Sequence, residues 1–180
     1  MHVKLMVLAV CTMAAVSCAS SGTKTGSDST AAGGDSSINV QANPNSQLEV
    51  KPISGYFLKN TIIVNDSLTF WLIDNQASFD SLFGAAKTMN NTIDQPDFGT
   101  HIVVAATMPP TFYGTQIQLE SATSDNVNNN AALHFVATSN PSRGSASTVP
   151  LWLGAVPKTG KSTFQFYSGE HLTKTITTQQ

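Results

Sequence analysis

The chain has few cysteines and few charged residues. Its two cysteines, Cys11 and Cys18, both lie in the first 18 of 180 residues. A fold built from the later residues therefore has no thiol for a disulfide, for catalysis or for a metal site, and we expect no cofactor. Nine Lys and Arg stand against eleven Asp and Glu, giving a formal net charge of −2. Such a balance provides no basic surface, so we expect no nucleic-acid partner.

The first 18 residues have the pattern of a bacterial lipoprotein signal peptide. Lys4 precedes an apolar run, and the small residue Ser17 stands directly before Cys18. We interpret residues 1–17 as the signal peptide and Cys18 as the site of lipid attachment. The run is too short for a membrane-spanning helix, which needs about 20 apolar residues. An ordinary secretory signal cleaved after a small residue is the alternative.

Residues 18–46 are expected to form a disordered tether behind the lipid. They are rich in Ser, Thr, Gly, Ala, Asp and Asn and contain no aromatic residue. Such a segment cannot bury enough apolar surface to offset its conformational entropy. As a flexible coil it would reach on the order of 30 Å. Ala19 is not the aspartate that commonly retains lipoproteins at the inner membrane, so we expect the periplasmic face of the bacterial outer membrane.

Residues 47–180 are expected to form a single α+β domain with one amphipathic helix. Four apolar residues follow the helical spacing i, i+3, i+4 and i+7, namely Phe79, Leu82, Phe83 and Ala86. Asp74 or Asn75 can cap the start of this helix, and Lys87 suits the negative end of its dipole.

The remaining apolar patterns predict strands. The segment 102–106 is apolar on both faces, which is typical of a central, covered strand. The segment 115–120 alternates strictly between apolar and polar residues. Further strands are expected at 68–73, around 133–137, and at 149–156, 163–167 and 172–176. These patterns predict a twisted, mostly antiparallel sheet with the helix packed on one face.

Motifs for catalysis are weak. Gly160-Lys161-Ser162-Thr163 lacks the glycine spacing of a phosphate-binding loop, and we expect a hairpin turn at Thr159–Lys161 instead. The three histidines of the domain, His101, His134 and His171, form no short-spaced ligand pair, so we expect no metal site. Asp94 and Asp97 could form an acid–base pair, although turn-forming roles fit their position beside Pro96 better. No serine stands in a G-x-S-x-G elbow, and we expect no enzyme.

Aromatic residues beside prolines are the strongest candidates for a binding site. Phe112, Tyr113 and Gly114 follow Pro109-Pro110 between two strong strands, and Trp152 lies on a strand that is apolar on both faces. These four residues could form a platform for a partner protein or a sugar ring. The alternative is that Phe112 and Tyr113 close the end of the core.

From Phe70 onward the order of elements resembles the C-terminal domain of the PrcB-like family of protease-complex lipoproteins. The resemblance rests on Asn75-Gln-Ala-Ser-Phe-Asp-Ser-Leu82, Asp97-Phe98 before Ile102–Ala106, Tyr113-Gly114, Ile117-Gln-Leu119, and Pro150-Leu-Trp-Leu153 with Val156-Pro157-Lys158. It implies a non-catalytic role in stabilising or assembling a partner complex. The family often has a Gly-Gly-Tyr-like loop, where this chain has Phe112-Tyr113-Gly114.

The sequence therefore predicts a membrane-tethered periplasmic lipoprotein that acts as a non-catalytic, complex-stabilising module. Its expected partners are the membrane, through the lipid on Cys18, and a protein of the cell envelope. A lipoprotein that binds a polysaccharide or a small ligand through Tyr113 and Trp152 is the alternative.

Overall fold

Two β-sheets make up most of the structure, a computed structural model that describes residues 45–158 and 160–178. The predicted signal peptide, Cys18 and nearly all of the predicted tether lie outside the described residues. In chain order the elements are β1 (Asn45–Gln47), β2 (Lys51–Pro52), β3 (Tyr56–Leu58), β4 (Thr69–Ile73), α1 (Gln76–Leu82), β5 (Phe83–Ala85), β6 (His101–Thr107), β7 (Thr111–Asp125), β8 (Asn130–Thr148), β9 (Leu151–Pro157), β10 (Thr163–Ser168) and β11 (His171–Thr177).

The larger sheet has five strands in the order β1-β7-β8-β10-β11. Its pairs are antiparallel except β8 and β10, which run parallel. The β7–β8 hairpin turns at residues 126–129, where Asn129 takes the left-handed conformation with φ 54°. Asn tolerates this conformation better than most residues, which suits it to the turn.

The smaller sheet has four strands in the order β2-β9-β6-β4, all antiparallel. Strand β6 lies inside it, and the residues from Ile102 to Thr107 are buried on both faces. The continuous apolar run predicted a central, covered strand here, and the structure confirms it. One face of β6 meets the five-stranded sheet, and the other meets α1 and the short β3–β5 pair.

Aromatic side chains fill the space between the two sheets. The Phe70 ring, on β4, stacks on that of Phe166, with centroids 4.9 Å apart, and tilts against Phe135 at 5.2 Å. All three rings are fully buried. The two sheets share no strand pairing along their described strands, so the packing of these rings holds them together. Truncating any one of the rings to alanine should therefore lower the free energy of unfolding by roughly 3–5 kcal/mol.

The predicted α+β class is wrong, because the fold is mostly β. Strands account for 58% of the described residues and helix for 5%. Asn75 caps α1, since its side-chain oxygen accepts the Ser78 N–H at 2.8 Å, but the helix ends at Leu82. Phe83 is extended and begins β5, which pairs with β3. Lys87 therefore lies outside the helix. The helix α1 has only seven residues and lies with the β3–β5 pair in a third layer.

Gly84 shows why the chain leaves the helix at this point. A Cβ atom at Gly84 would lie 2.5 Å from Cζ of Phe57, so only glycine lets the Phe57 ring cross β5. Glycine also disfavours the helix by about 1 kcal/mol relative to alanine. Phe79 and Phe83 still share one buried cluster, with ring centroids 5.0 Å apart. The helical spacing thus predicted the burial of these two rings and the helix as far as Leu82, but it was wrong for Phe83 and Ala86, which lie outside the helix.

Candidate functional site

Strands β7 and β8 extend beyond the part of the sheet that neighbouring strands cover. Strand β1 pairs with β7 only at Thr123–Asp125, and β10 pairs with β8 only at Asn130–Phe135. The far ends of the hairpin, Thr111–Thr115 of β7 and Ser139–Thr148 of β8, are here called the arm. Among the described residues no third strand pairs with the arm on either side. All residues from 137 to 148 are exposed.

The two strands of the arm differ in regularity. The five residues Thr111–Thr115 face the ten residues Ser139–Thr148, and the register shifts on both sides of the Tyr113–Arg143 pair. The additional residues therefore bulge out of β8, and Pro141 among them has no N–H to donate. Bulges and prolines protect a strand edge from pairing with other chains. The β8 edge of the arm is thus protected, whereas the β7 edge is regular.

Phe112 and Tyr113 are exposed on the regular strand of the arm. Their exposed fractions are 40% and 44%. Successive side chains of a strand point to opposite faces, so each face of the arm carries one aromatic ring. The alternative that these rings close the end of the core is wrong, since neither belongs to a buried cluster. The structure therefore places two of the predicted binding residues where a partner can reach them.

Arg143 contacts this site, although no pattern in the sequence marks it as a binding residue. Its guanidinium carbon lies 4.2 Å from the centroid of the Phe112 ring. A cation over an exposed ring contributes about 0.5–1 kcal/mol. Arg143 is also the one charged residue in the two segments of the arm. It lies in a Ser-rich stretch with no apolar pattern, so only the pairing of β8 with β7 could identify it.

Gly114 lies beside the aromatic pair without a special backbone conformation. A Cβ atom there would be 3.7 Å from Cβ of Asn140, which is an ordinary contact distance. The next residue, Thr115, ties the arm together, because its hydroxyl lies 2.7 Å from that of Ser139 on β8. Gly114 therefore leaves a shallow, open surface between Tyr113 and Thr115.

Trp152 is not part of the arm. It lies on β9, packs edge-on against Phe135 with ring centroids 5.0 Å apart, and belongs with the residues that line the core between the sheets. Its ring also covers Gly154, where a Cβ atom would be 2.4 Å from Cη2. The structure thus separates Trp152 from Phe112 and Tyr113, and the four predicted residues do not form one surface.

The three histidines do not converge. His134 stacks on Tyr167 with ring centroids 4.3 Å apart, His171 is exposed on β11, and His101 is half-buried at the start of β6. In the described part of the chain, no three His, Cys, Asp or Glu side chains are grouped closely enough to hold a metal ion.

Asp97, Thr100 and His101 form a short hydrogen-bond chain. The Thr100 hydroxyl donates to Asp97 Oδ2 at 2.6 Å and lies 2.7 Å from His101 Nδ1. Since the hydroxyl has one proton, His101 must donate to it rather than accept from it. The Thr100 hydroxyl and the Gly99 N–H lower the pKa of Asp97. If Thr100 were a nucleophile, its hydroxyl would have to donate its proton to His101, which is the opposite of the arrangement here. These residues instead stabilise the turn before β6, where the Thr100 and His101 N–H groups donate to the Asp97 carbonyl.

Asp94 joins two loops rather than pairing with Asp97. Its Oδ2 accepts hydrogen bonds from the hydroxyl and the backbone N–H of Ser54, each at 2.8 Å. These two bonds lower the pKa of Asp94. The Tyr56 hydroxyl donates to the Asp94 carbonyl oxygen at 2.8 Å, and burial followed by the nearby Asp80 and Asp94 charges raises the pKa of Tyr56.

The segment around Lys161 connects the two sheets. Strand β9 belongs to the four-stranded sheet and β10 to the five-stranded one, so the predicted hairpin is wrong; Thr159 lies outside the described residues. Lys161 is buried, and its Nζ donates to the Asp125 carbonyl at 3.2 Å and to Asn126 Oδ1 at 2.8 Å. The lysine fixes the β7–β8 turn rather than binding a phosphate.

Comparison with known proteins finds no match: no family model, no curated protein and no solved structure is significantly similar to the chain. The resemblance to the PrcB-like family therefore stays a prediction. Among the described residues, no helix has the length and apolar character needed to cross a membrane.

Proposed function

We propose that the protein is a non-catalytic module that binds a partner protein of the bacterial cell envelope through the arm. The observation that carries this proposal is the exposure of every residue from 137 to 148, in the part of β8 that, among the described strands, pairs with β7 alone. Ordering an exposed two-stranded extension costs conformational entropy that little burial offsets. A partner that covers the arm supplies the missing burial.

The regular edge of β7 is the element best suited to the contact. Its backbone between Thr111 and Thr115 can pair with an extended segment of another protein, a common mode of peptide recognition. The Tyr113 N–H donates to Thr111 Oγ1 at 3.1 Å and the Tyr113 carbonyl accepts the Thr115 hydroxyl at 3.2 Å, so pairing through Tyr113 replaces these local bonds. The exposed rings of Phe112 and Tyr113 flank that edge on opposite faces. Aromatic anchors next to a strand edge provide the specificity that backbone pairing lacks.

Attachment to the membrane through Cys18 is the second part of the proposal. It rests on Ser17 and Cys18 after an apolar run, as in lipoprotein precursors. Cys18→Ser should move the protein from the membrane fraction to the soluble fraction, whereas Cys11→Ser should leave it with the membranes. If the Cys18→Ser protein still sediments with membranes to the same extent, lipid attachment at this residue is wrong.

Affinity capture tests the protein-binding part. The tagged full-length protein is solubilised from native membranes in detergent, and its co-purifying proteins are compared with those of Tyr113→Ala. Leu172→Ala is the matched control, because Leu172 is similarly exposed, at 52%, but lies on β11. We expect at least one co-purifying protein to be tenfold or more less abundant with Tyr113→Ala than with the native protein, and to be unchanged with Leu172→Ala. Identical sets from all three proteins would contradict binding through the arm.

A further inference from the structure

A small polar pocket lies on the outer face of the five-stranded sheet, at the opposite end of the β7–β8 hairpin from the arm. It has a volume of about 200 Å³. In the described part of the chain, six residues line it: Asn45, Thr123, Asp125, Asn130, Ala132 and Gln165. They come from four adjacent strands, β1, β7, β8 and β10, so the pocket is part of the rigid sheet and not of a loop.

The register of the sheet explains why a hollow forms there. Ala132 of β8 faces Thr123 of β7 on one side and Gln165 of β10 on the other. One row further along, Asp125 faces Asn130 on β8 and Asn45 on β1. Residues in register point to the same face of a sheet, so longer side chains surround the short side chain of Ala132. The methyl group of Ala132 is the floor of the pocket.

The lining selects a neutral, hydroxyl-rich ligand. Three carboxamides, one hydroxyl and one carboxylate surround the hollow, and each carboxamide offers both donors and acceptors. Among the described residues of the lining there is no Lys or Arg, so these side chains offer nothing to neutralise a phosphate or a carboxylate. Apart from Ala132, the six lining residues that the structure describes include no apolar side chain, so they do not suit a lipid or an aromatic ligand.

Asp125 is held ready to accept hydrogen bonds from a ligand. Its Oδ1 accepts the backbone N–H groups of Val127 and Asn128 at 2.9 and 3.1 Å, and its Oδ2 accepts the Asn128 side-chain amide at 2.6 Å. Three donors fix the carboxylate: two fill the acceptor sites of Oδ1, and Oδ2, with one donor, keeps a further acceptor site for a ligand. A fixed acceptor loses little entropy when a ligand binds.

Tyr167 lies beside the pocket, next to the lining residue Gln165 on the same face of the sheet. Gln165 and Tyr167 are two residues apart on β10, and therefore lie about 7 Å apart on the same face. The Tyr167 hydroxyl lies 3.4 Å from Gln165 Oε1, and its ring is stacked in parallel on His134. The phenol is thus held in place with its hydroxyl at the edge of the pocket.

We propose that this pocket binds a neutral sugar residue, either as a free monosaccharide or as part of a glycan. A pyranose ring presents several hydroxyl groups in a compact shape, which matches alternating amide, hydroxyl and carboxylate groups around a small floor. This site is separate from the arm and does not contain Tyr113 or Trp152, the residues that the sequence suggested for a sugar.

A glycan array tests the proposal. The full-length protein in detergent is applied to an array of neutral and acidic glycans, and hits are measured by isothermal titration together with the corresponding free monosaccharides. We expect saturable binding of at least one neutral saccharide. Binding only to the glycan, or to the free sugar as well, identifies the source of the ligand. No saturable binding, or binding restricted to acidic glycans, would overturn the proposal.

Two substitutions connect the binding to the pocket. Ala132→Leu fills the floor and should weaken binding at least tenfold, while Ala77→Leu, the same change on the exposed surface of α1, should alter it less than twofold. Gln165→Ala is the second pocket variant and should also weaken binding at least tenfold, in case Ala132→Leu fails to fold. Unchanged affinity in the folded pocket variants would place the sugar elsewhere and overturn the assignment.

Discussion

The Arg143 guanidinium lies over the Phe112 ring, with 4.2 Å from its central carbon to the ring centroid. This contact joins the bulged strand of the arm to its regular strand. It covers one of the two exposed aromatic rings with the single cation of the arm, so it influences both the shape and the chemistry of the proposed binding surface.

A double-mutant cycle should detect this contact. Arg143→Ala and Phe112→Ala, alone and combined, should give a coupling free energy of about 0.5–1 kcal/mol in denaturant unfolding, because the pair is solvent-exposed. The control cycle combines Arg143→Ala with Phe57→Ala, since Phe57 is similarly exposed, at 47%, on β3. That cycle should show no coupling. Equal coupling in both cycles would mean that Arg143 does not act on Phe112.

Lys161 should be needed for the stability of the β7–β8 turn. Lys161→Met keeps the length and apolar stem of the side chain but removes two hydrogen bonds to Asp125 and Asn126. Leaving these acceptors without their donor should lower the free energy of unfolding by about 1–3 kcal/mol. Lys87→Met, at an exposed position, should change it by less than about 0.5 kcal/mol. Chemical denaturation measures both, and equal effects would contradict the structural role of Lys161.

The hydrogen bonds from Ser54 to Asp94 should make stability depend on pH. They lower the pKa of Asp94 in the folded protein, so the unfolded chain binds a proton first as the pH falls. The stabilisation is complete above the ordinary carboxyl pKa of about 3.9 and is lost as the pH falls through the folded-state pKa.

The melting temperature between pH 5 and pH 2.5 measures this effect. Ser54→Ala removes one of the two donors and should flatten the decline of the melting temperature on acidification. Ser81→Ala is the control, because the Ser81 hydroxyl donates within α1 to the Ser78 carbonyl. A decline as steep in Ser54→Ala as in the native protein would show that this pair does not contribute.

Gly154 should tolerate no side chain. A Cβ atom would lie 2.4 Å from the Trp152 ring and 2.9 Å from Val50 Cγ1, and the tryptophan cannot move away because it packs on Phe135. Gly154→Ala should therefore destabilise the fold by about 1–3 kcal/mol in denaturant unfolding. Gly114→Ala, where the added atom meets only an ordinary contact, is the matched control. Similar small losses for both would show that the core accommodates the methyl group.

The central strands could be predicted from the sequence because their patterns are local. A continuous apolar run identified β6, and strict alternation identified the part of β7 that contains Ile117. The apolar residues in these two patterns lie on the faces of the sheets that are buried, so the pattern and the burial agree.

The short helix shows where local patterns fail. Phe79 and Phe83 are spaced as on one face of a helix, yet Phe83 pairs with Leu58 in a strand. That pairing depends on a segment 25 residues earlier in the chain, which no helical periodicity can detect. The fold class was predicted wrongly because this one helix is short and strands make up most of the described residues.

The arm and the polar pocket could not be predicted because neither has an apolar pattern. Ser139–Thr148 contains no large apolar residue, and its strand conformation depends on pairing with Thr111–Thr115. The pocket is lined by residues of four strands, which become neighbours only through the pairing register of the sheet. Only the exposure of Phe112 and Tyr113 had a signal in the sequence, in the two prolines before them.

Site-specific photo-crosslinking tests the central claim most directly. The photoreactive amino acid p-benzoylphenylalanine replaces Tyr113 in the full-length protein in its native cells, and replaces the fully exposed Met89 in the control. Binding through the arm predicts a discrete crosslinked protein from position 113 after irradiation, with none from position 89. The same crosslinks from both positions, or none from position 113, would contradict it.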